Sequence, residues 1–197
     1  MLVFTLGIKA VGKSHVIREL NKPLQNAIRE ISYGDVMLEI AKEKEGISDR
    51  EQIAALPPEI QVRIREEASK RIRALADKEK LVFLNTHGFI YTIPHHAYLP
   101  GSPDSVSDVL KPDFVFLVEA SPKAISERRE KDLKAGRKRE MNSRKEIEEA
   151  LFCERIAALH VGMRYACNVK FFDNSLSVEK NAGELQRLAE LFKSLKA

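Results

Sequence analysis

The chain has 197 residues, 44% of them hydrophobic and 31% charged, with a formal net charge of +4. That length fits one α/β domain spanning residues 1–197 and leaves no room for a second of full size. The small, scattered positive excess suits an anionic small molecule and argues against duplex nucleic acid, which calls for a concentrated basic face. No apolar run approaches the roughly 20 residues that span a bilayer. Cys153 and Cys167 show neither C-x-x-C nor metal-ligand spacing, and read as free thiols of a cytoplasmic protein.

Leu2–Leu6 is a short β-forming apolar run that leads straight into a glycine loop, so it reads as a buried strand rather than a cleavable leader. Helical sequence follows to about Glu19–Leu20, limited by Pro23. Ile28–Ser32 is a weaker strand, and Val36, Met37, Ile40 and Ala41 then carry helical spacing as far as Gly46. Pro57-Pro58 opens the longest helix, with Ile60, Ile64, Ala68, Ile72, Leu75 and Ala76 on one stripe. Leu81–Leu84 reads as a buried strand, and the stretch from Thr86 to Pro112, punctuated by glycines and prolines, as mostly loop.

Asp113–Glu119 is the clearest strand, and Ser121-Pro122 supplies an N-cap and a first-turn proline for a helix reaching about Ala135. Gly136 breaks it into a basic segment, followed by a helix over Lys145–Tyr165, a strand over Asn168–Phe172 and a helix over Val178–Leu195. Strands alternating with helices predict a central parallel sheet of about five strands with helices on both faces. The ligand then belongs along the edge where the strands end.

Gly7-Ile8-Lys9-Ala10-Val11-Gly12-Lys13-Ser14 fits G-x-x-x-x-G-K-[ST] at every fixed position, between a predicted strand and a predicted helix. That context predicts the three-layer P-loop NTPase fold. The backbone N–H groups from Gly7 to His15 would cradle the phosphates of ATP at the positive end of the helix. Lys13 would bridge the β- and γ-phosphates, and Ser14 would hold Mg²⁺ through its hydroxyl. Lys9 either adds charge beside the phosphates or points into solvent.

Beyond the loop, Ser32-Tyr33-Gly34-Asp35-Val36-Met37, Asp49-Arg50-Glu51-Gln52, Thr86-His87 and Tyr98-Leu99-Pro100-Gly101-Ser102-Pro103 follow in an order and spacing that resembles the archaeal adenylate kinases. These are members of the P-loop nucleoside monophosphate kinase superfamily. The resemblance spans nearly the whole chain, including Arg128-Arg129 and the later Arg137 and Arg139. It implies reversible transfer of the ATP γ-phosphoryl group to AMP with Mg²⁺, giving two ADP, and a homotrimer. It also implies a monophosphate-binding region over about 32–80, with Tyr33, Gly34, Thr86, His87 and Gly101 at the AMP. Tyr33 would either stack on the base or pack beside its strand.

Such a transfer needs cations on a lid that closes over the phosphates. The basic run over about 128–144 supplies them, with Gly136 as a hinge and Arg128, Arg137 and Arg139 as catalytic candidates beside Lys13. The competing reading is a solvated helix face. Asn85 stands where the resembled family carries aspartate. Either Asn85 meets Mg²⁺ through water, or Glu119 or Asp35 compensates, or metal binding is weaker. Two further functions stay open: phosphorylation of a monophosphate with another base, and a P-loop ATPase acting as a switch or assembly factor.

Overall fold

The computed structural model describes residues 1–92, 97–136, 142–175 and 178–195. Strand β1 (Leu2–Leu6) is buried throughout and lies in parallel register between β3 (Val82–Asn85) and β6 (Phe114–Glu119). Outside them, β2 (Arg29–Ser32) flanks β3 and β7 (Asn168–Asp173) flanks β6, completing a five-stranded parallel sheet in the order β2-β3-β1-β6-β7. The chain runs from β1 out to the edge strand β2, returns to β3 between them, then crosses to the other side of β1 to build β6 and β7. β1 is therefore the switch point, and the crevice beyond its end is the natural ligand site.

Alternation along the buried strands sends side chains into two separate cores. On one face, Phe4, Leu84, Val115 and Leu117 pack against α2 (Tyr33–Glu45), α4 (Pro58–Ala76), α5 (Asp104–Leu110) and α7 (Arg144–Tyr165). The short α3 (Arg50–Ala54) adds Ile53 to the same core. On the other face, Val3, Phe83, Phe114 and Phe116 meet α1 (Lys13–Asn21), α6 (Pro122–Lys134) and α8 (Val178–Ser194). Phe192 of α8 anchors that layer, its ring 5.2 Å from Phe83 and 5.1 Å from Phe114 in edge-on contact. The result is the expected three-layer fold. Among the described residues no helix is long and apolar enough to cross a membrane, and both cysteines are free.

Two expectations need correction. The stripe on α4 is narrower than its sequence suggests: Ile64, Ala68, Ile72 and Ala76 are buried while Leu75 is 44% exposed. Ser69 is buried beside them, its hydroxyl satisfied by Arg65 O at 2.8 Å. The stretch after Thr86 is also more ordered than a loop. β4 (Phe89–Thr92) and β5 (Ala97–Pro100) form an antiparallel hairpin with the Tyr91 and Tyr98 rings 5.2 Å apart, and α5 follows. Pro100 ends β5 and Pro103 precedes α5, so these prolines bound elements instead of dissolving them.

Helix α7 matters most for the site. Ser143 and Glu146 close a reciprocal capping box at its start, and Ala166 ends it in the left-handed region. Glycine at 162 lets it lie against β7, because a Cβ there would collide with Val169.

Candidate active site

The phosphate loop connects β1 to α1, and its glycines are required by its path. Gly7 (φ 138°) and Gly12 (φ 91°) take values that side chains disfavour. A Cβ on Gly7 would strike Val118 O, and one on Gly12 would lie 2.5 Å from Asn174 Nδ2. The loop is held from outside by its carbonyls. Val11 O accepts from Arg128 Nη1 at 2.9 Å and from Asn174 Nδ2 at 2.8 Å. Arg128 Nη2 donates in turn to Asn174 O at 2.6 Å. Because a trans peptide points its N–H opposite its C=O, fixing Val11 O outward turns the Gly12 N–H inward, towards the phosphate position.

Arg128, expected on a lid, is thus placed on α6 with both terminal nitrogens engaged on the loop's support. Arg137 and Arg139 lie outside the described residues. Arg129 is buried, donating to Asn142 Oδ1 and at 3.5 Å to Lys9 O, whereas Lys9 itself is exposed. Ala10 and Ile8 complete the loop, Ala10 with a positive φ of 73°. His15 turns to its own helix, with Nδ1 2.9 Å from Arg18 Nη2.

Inside the loop, the Lys13 ammonium folds back on the carbonyls of Gly7 and Ile8, the latter at 3.4 Å. Burial brings its pKa down to about 8, against the opposing effect of Glu154 and with a smaller lowering from Lys9. Glu154, on α7 and 1% exposed, accepts from Gly7 N at 3.1 Å and from Gly88 N at 3.0 Å through one oxygen, Oε2. Its other oxygen lies 3.7 Å from His87 Nδ1. Burial foremost, then Lys13, lowers the His87 pKa, favouring neutral imidazole.

On the metal side, Ser14 Oγ accepts from Asn85 Nδ2 at 3.3 Å, and the same nitrogen donates to Glu30 Oε1. Asn85 Oδ1 is buried with no hydrogen-bond partner among the described residues. Glu119 is held by Arg155 through two bonds of 2.5 and 3.1 Å, and Asp35 pairs with Arg50. The carboxylate that meets Asn85 is therefore Glu30, not Glu119 or Asp35. Asn85 thus turns its amide nitrogen, not its oxygen, towards Ser14 and Glu30. A hydroxyl and a carboxylate are oxygen donors of the kind Mg²⁺ takes, and the amide oxygen would join them only with the amide turned over.

Beyond β3, Thr86, His87 and Gly101 come together at the base of the β4–β5 hairpin. Thr86 Oγ1 lies 3.0 Å from Ser102 Oγ, Ser102 Oγ donates to His87 O at 3.0 Å, and Gly101 N donates to Gly88 O at 2.9 Å. Tyr33 does not join them. It is 4% exposed and its hydroxyl donates to Arg65 O at 3.0 Å, so packing wins over base stacking. Gly34 starts α2 against Arg50, whose guanidinium carbon would sit 3.0 Å from an added Cβ. Asn174, Glu30 and Glu154 escape sequence reading because each acts through a contact distant along the chain.

A family model described as an AAA domain matches residues 6–148. The adenylate kinase of Methanopyrus kandleri is 36% identical over 173 residues, covering 88% of each chain. That of Methanocaldococcus jannaschii is 36% identical over 179 residues, covering 88% of this chain and 89% of its own. The chain belongs to the adenylate kinase family. In fold it is also similar to an unliganded sugar kinase from Janibacter sp. HTCC2649, with a TM-score of 0.50 at 14% identity over 98% of this chain and 94% of that one.

In this adenylate kinase family member, Lys13 carries a pH signature. Burial lowers its pKa to about 8, whereas a bound polyphosphate favours the ammonium. ATP affinity should hold at pH values below about 8 and fall as pH rises above it. Titrations from about pH 6.5 to about pH 9.5 test this, and a flat profile would show that Lys13 stays charged throughout.

Proposed function

We propose that this chain catalyses reversible transfer of the γ-phosphoryl group of ATP to AMP, giving two ADP, with Mg²⁺ as cofactor. The observation that carries the reading is the phosphate loop lying beside the braced Thr86–Gly101 loop, both fastened to one carboxylate, Glu154. A donor site and an acceptor site then share a single crevice. The names of the relatives at 36% identity support the same reaction and acceptor.

The acceptor phosphate is itself the nucleophile, so the protein's task is alignment and charge stabilisation. Lys13 exchanges its contacts with Gly7 O and Ile8 O for the β- and γ-phosphates. Arg128 keeps the loop's amides aimed inward, while Arg137 and Arg139 are the lid cations that meet the transferring group. Ser14, Asn85 and Glu30 would hold Mg²⁺, which neutralises charge on the phosphate oxygens as it develops. His87 and Thr86 border the acceptor, with Gly34 and Gly101 at its edge, where they let Arg50 and the His87 backbone approach closely. The reaction's nucleotides are those of the cytoplasm, where we place the protein.

The outer side of α7 supports a homotrimer. Phe152, Ile156, Leu159 and Met163 are 64, 47, 48 and 84% exposed and recur at helical spacing, forming an apolar stripe that association would cover.

Three measurements test these assignments. With ATP and Mg²⁺, ADP formation should require AMP and exceed that with CMP, UMP or GMP. Preference for another monophosphate would change the acceptor, and slow ATP hydrolysis alone would favour a switch. Glu30→Gln should weaken Mn²⁺ binding to the complex with a non-hydrolysable ATP analogue about tenfold, read by the Mn²⁺ resonance signal. Unchanged affinity would remove Glu30 from the metal site. In sedimentation, the wild type should run at three times its 22.3 kDa chain mass and Met163→Glu at one. A monomeric wild type would refute the trimer, and a trimeric variant would place its interface elsewhere.

A further inference from the structure

Glu154 is a costly residue to bury. It lies on an otherwise apolar inward face of α7, beside Ala157, Ala158 and Val161, and only 1% of it is exposed. Burying a carboxylate is unfavourable unless partners compensate it, and a glutamine of the same shape would cost far less. Its partners are informative. Oε2 takes the N–H of Gly7, the first residue of the phosphate loop, and the N–H of Gly88, next to His87. Oε1 has no hydrogen-bond partner among the described residues. The approach is tight, since a Cβ on Gly88 would collide with Ala157 and lie 3.3 Å from Oε2.

We propose that Glu154 is a positioning residue of the transfer reaction: its carboxylate ties the donor's phosphate loop to the acceptor's loop. The inference rests on the reaction proposed above. Two hydrogen bonds to one oxygen fix the ends of β1 and β3 relative to each other, which sets the spacing between donor and acceptor phosphates. In-line transfer is sensitive to that spacing at the ångström level.

Three variants test the tie. Glu154→Ala removes both bonds, whereas Glu154→Gln keeps an oxygen for both N–H groups without the charge that strengthens them. Turnover should fall about tenfold or more in Glu154→Ala and by less in Glu154→Gln, with ATP affinity staying within about threefold of the wild type in each. Gly88→Ala keeps the carboxylate and pushes the acceptor loop off α7, and should also lower turnover about tenfold or more. Thermal melts establish that each variant is folded. Full turnover in Glu154→Ala or in Gly88→Ala overturns the tie, and if Glu154→Ala does not fold, Gly88→Ala still decides it. If the wild type makes no ADP from AMP, the proposed reaction fails, while hydrogen exchange of the Gly7 and Gly88 amides, which should speed up about tenfold or more in Glu154→Ala, still tests the tie.

Discussion

A phosphate loop can present its amide hydrogens to a ligand only if its carbonyls, which point the other way, find donors within the protein. Here Arg128 and the Asn174 side chain meet the Val11 carbonyl from behind. Arg128 comes from the helix after β6 and Asn174 from the end of β7, both on the side of β1 where the chain winds second. The anion site at the start of the chain is therefore completed by residues more than a hundred positions later. The positive-φ turns at Gly7, Ala10 and Gly12 lie against that backing.

In the proposed function, the other half of the sheet serves the acceptor. β3 ends level with β1, so Asn85 reaches Ser14 and the following residues lie beside the phosphate loop. Edge strand β2 brings Glu30 to Asn85, and the start of α2 brings Gly34 under Arg50. The proposed donor, metal and acceptor residues are thus spread over neighbouring strand ends. Hydrogen bonds among Thr86, His87 and Ser102 brace the backbone beyond β3.

The sheet, the phosphate loop and the main helices were legible because they have local signatures. β1 and β6 are continuous apolar runs, α6 and α7 carry serine caps, and the loop has a fixed spacing of glycine and lysine. The hairpin was not legible, because four-residue, half-exposed strands ending in proline look like loop. Arg128 shows a different limit. Its sequence neighbourhood is basic, which suggests a lid, yet its donors are engaged beneath the loop by residues that no local pattern associates with it. Glu30 and Glu154 are ordinary surface-type residues in sequence, and only the packing of β2 on β3 and of α7 over the strand ends gives them meaning. A buried charge leaves no periodic trace.

Helix α7 is apolar on two sides, with Ala157, Ala158 and Val161 turned to the core and Phe152, Ile156, Leu159 and Met163 turned outward. Its amphipathic signature is accordingly faint, which usually marks a helix hemmed in by neighbours. Such a helix has little freedom to drift under neutral substitution. A bulkier residue at 157 would press on Gly88, and loss of the outer stripe would change what the surface adheres to. Substitutions should be borne more easily on the solvated flanks of α4 and α8 than on either apolar face of α7.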